Sequence, residues 1–283
     1  MTRHVPTLRA QWLGKVLRDL RESKGLTLRD AGDHLMRDAS TVSRIEAGTV
    51  PQRLPDVLEL MNLYNVDDPT LRTGLEQLSQ DIWRKGWWDG YADSVPNRVL
   101  DAAWLDSRAQ HIRDFALAVL PGLLQTDDYA EAVLRAAEPD SSDKDTERWV
   151  EFRMKRREVL SPDDALNYTA IIDESCLQRI IGSAAVMRSQ LAQLLELSHR
   201  PSLTIRILPI SIGAPPSPEG GFTIFDLPVP FPSVAQINSE AGAIYLEMPN
   251  AIRFLTAYTR LEQNALDIED SRTFIKVRME QLA

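Results

Sequence analysis

Leu26-Thr-Leu-Arg-Asp-Ala-Gly-Asp-His-Leu-Met-Arg-Asp-Ala-Ser-Thr-Val-Ser-Arg-Ile-Glu-Ala-Gly48 is the stretch on which the fold turns. Two short helices that cross closely need small residues at the crossing, and Ala31 and Gly32 supply them. Leu28, Leu35, Val42 and Ile45 are spaced to face a common core, as an amphipathic helix pair requires. That leaves Ser40, Thr41, Ser43 and Arg44 on the open side of the second helix. Short polar side chains let a helix enter a groove about 12 Å wide, and arginine pairs with guanine O6 and N7. The pattern is that of a helix-turn-helix reading DNA.

Working outward, Leu8, Trp12, Leu13, Val16, Leu17 and Leu20 recur at three and four, giving a helix over 8–23 with Gly25 as its stop. Thr27 is placed to cap the next helix, 28–35, and Gly48 closes a third over 39–47. A first-turn proline, Pro55, opens a fourth helix over 54–64, and Asp68-Pro69 opens a fifth to about Gln80. Five short helices make a compact all-α domain over residues 1–80. Its first 53 residues carry a net charge of +4, inside a 283-residue chain whose net charge is −9. The acidic average alone argues against nucleic acid, but it averages a basic head with an acidic body.

The block Ser-Thr-Val-Ser-Arg-Ile-Glu-Ala-Gly (40–48) resembles the Cro/phage-repressor, or XRE, class of helix-turn-helix domains, the lambda-repressor-like fold, over about residues 8–80. The resemblance implies that Ala39, Ser40 and Arg44 face base edges of a double-stranded operator. It implies that Thr41, Ser43 and Arg53 reach phosphates, and that Glu46 is structural. Met36 stands where many members have a turn glycine, and Arg37 where a small apolar residue is usual. Either the turn differs in shape or Arg37 swings out to a phosphate. Asp38 is placed to cap the recognition helix through the Thr41 amide.

Residues 81–283 read as a second, α+β domain, so the chain is mainly α with a small antiparallel sheet in its second part. Helices are expected over 99–119, 127–137, 147–160, 175–181, 184–198, 251–266 and 268–282. Strands are expected over 167–172, 203–208, 222–227, 233–238 and 243–247. Gly86–Asp93 and the Leu-Pro-Gly-Leu-Leu-Gln-Thr-Asp-Asp-Tyr-Ala block (120–130) resemble the DUF5753 domain that follows XRE domains in actinobacterial regulators, the Scr1-family, WhiJ-like group of toxin–antitoxin type. Ser107 departs from the glutamate many members carry. The resemblance implies a small DUF397-type protein partner.

Three features of this part have two readings each. Trp83, Trp87 and Tyr91, spaced by four, share a helical face and with Trp88 form either a ligand platform or the packing at the domain junction. Residues 209–232, with seven of the 17 prolines, are a lid or partner loop, or else a rigid connection. The run holding Arg148, Arg153, Lys155, Arg156 and Arg157 is a phosphate site or, as favoured, a solvated helix face.

Catalysis has little support. No G-x-G-x-x-G, P-loop, G-x-S-x-G or H-E-x-x-H motif is present, and four scattered histidines and one cysteine, Cys176, offer no metal set. No cofactor and no metal are expected. The absence of an apolar run of about 18 residues argues against a membrane span. The expectation is a cytoplasmic, homodimeric transcription regulator whose second domain supplies dimerisation and senses a protein partner or small-molecule ligand. The alternative is an antitoxin-like protein that sequesters its partner and regulates its own operon.

Overall fold

The computed structural model describes residues 7–84, 86–95, 97–161, 166–229, 231–239 and 242–282. The chain divides into two compact units, residues 1–104 with 229–231, and residues 105–228 with 232–283.

The first unit contains α1 (Leu8–Ser23), α2 (Leu28–Leu35), α3 (Ala39–Glu46), α4 (Leu54–Leu63) and α5 (Pro69–Trp83). Their starts follow local chemistry. The Thr7, Thr27 and Asp68 side chains accept backbone N–H groups that the first turns of α1, α2 and α5 leave unpaired. Trp12, Leu13, Leu17, Ala31, Val42, Ile45, Val57, Leu60 and Leu75 form the core. Each large apolar side chain buried this way is worth about 1.5–3 kcal/mol. Helix α5 runs on to Trp83, and the unit continues through a 3-10 turn, Trp87–Tyr91, into α6 (Asn97–Arg108). The passage from the first unit to the second lies inside α6, after Trp104. Trp104 belongs with the first unit because its ring meets Trp12 edge-on at 6.2 Å, and Trp12 in turn packs on Phe231 at 4.7 Å.

The second unit is built on a six-stranded sheet with strands β1 (His111–Ala116), β2 (Asn167–Asp173), β3 (Leu203–Leu208), β4 (Phe222–Asp226), β5 (Val234–Ser239) and β6 (Gly242–Leu246). Their order is β3-β2-β1-β4-β5-β6. The expected antiparallel sheet describes three of its five strand pairings. β1, β4, β5 and β6 pair antiparallel, whereas β1–β2 and β2–β3 are parallel. Parallel neighbours need helical crossovers. α7 (Asp127–Ala137) and α8 (Asp143–Arg157) connect β1 to β2, and α9 (Glu174–Gln178) and α10 (Ala184–Leu197) connect β2 to β3.

One expectation fails here. The single helix expected over 99–119 ends at Arg108, and its second half is β1, paired on both sides. Within the Pro-rich segment the strand expected over 222–227 is β4, and a 3-10 turn spans Ile210–Ile212.

On one face of the sheet, Phe115, Ile171, Phe222, Ile224 and Ala235 pack against Phe254, Tyr258 and Leu261 of α11 (Ile252–Asn264), the unit's main core. α12 (Ile268–Glu280) lies along β3 and α10. Successive strand residues point to opposite faces. The other face therefore presents Asp114 of β1, Thr223 of β4 and Gln236 of β5, which are in register across three strands.

Candidate nucleic-acid interface

The helix-turn-helix is α2, a left-handed turn at Met36, and α3. Gly32 is required at the crossing, since a Cβ there would lie 2.6 Å from the Arg37 carbonyl oxygen and 3.2 Å from the Ala39 nitrogen. Gly14 of α1 allows a similar approach, with the Glu46 carbonyl 2.4 Å from where its Cβ would be. Val42 and Ile45 are buried and anchor α3. Behind α3, the Arg21 guanidinium donates two hydrogen bonds to the Glu46 carboxylate, at 2.7 and 3.0 Å. Glu46 is thus a structural residue, as the resemblance implied, and its hydrogen bond, then its charge, raises the Arg21 pKa against the effect of burial. The Gln52 amide, fully buried, donates to the carbonyls of Ala10 (2.9 Å) and Ile45 (2.7 Å), joining α1 to the end of α3.

The outer face of α3 is open. Ser40, Ser43 and Arg44 are exposed, and Ala39 and Thr41 are half-buried. Arg44 folds back along its own helix, donating to Thr41 Oγ1 at 3.1 Å and to the Ser40 carbonyl at 3.4 Å. These bonds to exposed groups are readily exchanged for base or phosphate contacts. Arg53 is exposed at the N-cap position of α4.

At the turn, Arg37 pairs with Asp56 of α4 at 3.0 Å. Asp38 occupies the N-cap position of α3, but its side chain makes no capping bond, and its carbonyl accepts the Thr41 amide at 2.9 Å instead. The turn keeps the left-handed conformation that suits a glycine, with Met36 at φ 54°, ψ 44° and 93% exposed.

The aromatic group is not one helical face. α5 stops at Trp83, whose indole N–H donates to the Gln52 carbonyl at 2.7 Å, while Trp87, Trp88 and Tyr91 sit in the separate 3-10 turn. Trp88 and Tyr91 are buried in the first unit, with Trp87 edge-on to both rings at 5.8 and 6.0 Å. The Arg9 guanidinium lies over the Trp88 ring (5.9 Å) and the Trp104 ring (6.0 Å).

The second unit holds a cleft of about 390 Å³ that the sequence did not disclose. Asp114, Thr223, Gln236 and Asn238 of the sheet line it, facing Asp106 of α6 and Arg153 and Arg156 of α8. The solvated-face reading of α8 is overturned. Arg156 donates to Asp106 (2.7 Å), Arg153 to Gln125 Oε1 (2.7 Å), and Arg157 to the Gln125 carbonyl and Gln193 Oε1 (3.1 Å each). Asp114 accepts from the hydroxyls of Tyr168 (2.6 Å) and Thr223. Burial pushes both carboxyls, Asp106 and Asp114, above their usual range. Burial, and then the charge of Arg156, lower Arg153 to about 10. The clue available in the sequence was the spacing of three between Arg153 and Arg156, which puts both on one helical face. Cys176 is buried, and burial pushes its thiol up to about 12, as befits a core residue.

Residues 12–73 match a helix-turn-helix domain, and residues 99–277 match a domain of unknown function, DUF5753. The chain belongs to the DUF5753 family and carries a helix-turn-helix DNA-binding domain at its N-terminus. No curated protein and no solved structure matches it. Among the described residues, no His/Cys/Asp/Glu group could hold a metal ion, and no helix is long and apolar enough to cross a membrane.

Proposed function

We propose that the protein is a sequence-specific transcription regulator, acting in the cytoplasm as a homodimer on a pseudo-palindromic operator. The supporting observation is the form of α3, a helix anchored by Val42, Ile45 and the Arg21–Glu46 pair. Its outer face offers small polar side chains and one exposed arginine. Ala39, Ser40 and Arg44 take the base edges, and Thr41, Ser43 and Arg53 the phosphates. Arg37 stays with Asp56 and braces the turn. One short recognition helix reads only a few base pairs, so two half-sites a helical turn apart supply the rest.

In this reading residues 1–80 bind DNA, while residues 81–283 dimerise and sense a signal, with no reaction performed. A ligand or a small DUF397-type protein bound there shifts operator affinity to the extent that it binds the free and DNA-bound forms unequally. The acidic body opposes loose phosphate binding, so affinity for random DNA is weak and salt-sensitive.

Footprinting the full chain on DNA upstream of its own gene, followed by titration of that site against random DNA, tests the reading. Arg44→Ala lowers discrimination between the two by about 1–3 kcal/mol. Undiminished discrimination places the reading helix elsewhere.

A further inference from the structure

We propose that the cleft of the second unit binds a small organic carboxylate with an apolar body, its anionic group seated on Arg153 and Arg156. The proposal rests on reading this unit as the sensing part, and it supplies the ligand class which that reading lacks.

Three observations converge on this chemistry. The first is the space itself. About 390 Å³ lies within the range of small-molecule sites, which run from roughly 300 to 1,000 Å³. Ile112, Leu117, Leu120, Leu123 and Phe225 line it together with the polar groups of Asp114, Thr223, Arg153 and Arg156. A lining that is both apolar and charged suits an amphipathic ligand better than a fully polar one.

The second observation is the state of the acids. Asp106 is committed to Arg156 at 2.7 Å. Both oxygens of Asp114 already accept hydroxyl hydrogen bonds, Oδ1 from Thr223 and Oδ2 from Tyr168. Neither carboxylate is bonded to Arg153.

The third observation is Arg153 itself. Among the described residues its guanidinium makes one hydrogen bond, to the neutral Gln125 side chain, although it has five N–H donors. The charge that perturbs it is Arg156, of the same sign. Arg153 is half-buried beside the cleft with no counter-charge bonded to it, so its remaining N–H donors are available to a carboxylate through a bidentate contact. Gln125 positions the fork from the other side, since its own amide is fixed on the Leu120 carbonyl at 2.7 Å.

The test measures binding of octanoate and its uncharged counterpart octanol to the full chain, by calorimetry and by the shift in thermal unfolding. Octanoate binds at least tenfold more tightly than octanol. Arg153→Gln removes that preference while leaving octanol binding unchanged. Val119→Trp adds bulk at a cleft position that is 40% exposed and weakens both probes without disturbing the core. Should the Arg153 variant fail to fold, the Val119 variant decides alone. Equal binding of the two probes, no binding of either at millimolar concentration, or octanoate binding undiminished in either variant overturns the proposal. Operator affinity is measured separately, with and without octanoate. Tight octanoate binding with no change in operator affinity upholds the site and removes the sensing role.

Discussion

Arg21 in the first unit is buried and Arg153 in the second is half-buried, and their surroundings differ in kind. Arg21 meets Glu46 in a closed, two-bond pair that joins α1 to α3. Arg153 meets a neutral amide and a second arginine, beside a cleft. A closed pair fixes the relative position of two helices and offers nothing to a ligand. An open guanidinium gives the fold little and leaves donors for something from outside. Arg44 completes the series, exposed and tied only to its own helix, where a macromolecule can reach it.

The comparison breaks first at Glu46. Glu46→Leu leaves the buried Arg21 charge with only the exposed Glu22 carboxylate, at 3.3 Å, and destabilises the first unit by about 3–4 kcal/mol in urea unfolding. The double variant Arg21→Met/Glu46→Leu recovers most of that loss, because no charge is then left uncompensated. If the double variant is no better than the single one, the pair acts through packing rather than charge.

Asp101 sharpens the same contrast through pH. Both of its oxygens accept the Leu8 amide of α1, each at 3.2 Å, but burial outweighs this bond and the Arg9 charge, and raises the carboxyl to about 6. The folded form therefore holds its proton more tightly than the unfolded form does. The stability this group contributes is complete below about pH 4 and is lost as pH rises through about 6, a change of roughly 3 kcal/mol. Asp101→Asn flattens that limb for the first unit. A variant that keeps the wild-type slope between pH 4 and 7 would show that another group is responsible.

Arg153→Met is expected to cost less than about 1 kcal/mol in the second unit's unfolding. One hydrogen bond to Gln125 is lost, but the repulsion between this half-buried charge and Arg156 goes with it. A cost matching that at Glu46 would mean that Arg153 is structural and the two arginines are alike.

The same division explains what could be read from the sequence. Helices α1 to α5 were legible nearly to the residue, because their signals are local: Thr27 as a cap, Gly48 as a stop, Asp68-Pro69 as a start, and apolar residues at three and four. β1 was not. No glycine or proline separates Arg108 from His111, so the helical pattern of α6 runs on unbroken. Only the pairing of β1 with β2 and β4, at least 50 residues away in the chain, makes it a strand. Its burial does not alternate regularly either, since the cleft occupies one side of it. The cleft was hidden for a related reason. Asp106, Asp114, Arg153 and Gln236 lie on four different elements, and only the sheet register and the α8 crossover bring them together. On α8 the charged composition pointed outward, yet three arginines turn inward, because Gln125, Asp106 and Gln193 offer them acceptors there.

The smallest expected effect lies at the turn of the reading motif. Met36 has a left-handed backbone, φ 54°, and a side chain that is 93% exposed. An L side chain in that region costs roughly 1–2 kcal/mol, and its exposure means that packing returns almost nothing. Glycine relieves the strain but has more backbone freedom to lose on folding, about 0.5–1 kcal/mol. Met36→Gly is therefore expected to stabilise the first unit by about 0.5–1 kcal/mol, seen as a small rise in its unfolding midpoint. The Arg44-dependent preference for operator over random DNA should stay as it is, since α3 keeps its anchors at Val42 and Ile45. If that preference falls while stability rises, Met36 itself touches the DNA, and the turn belongs to the reading face rather than to its support.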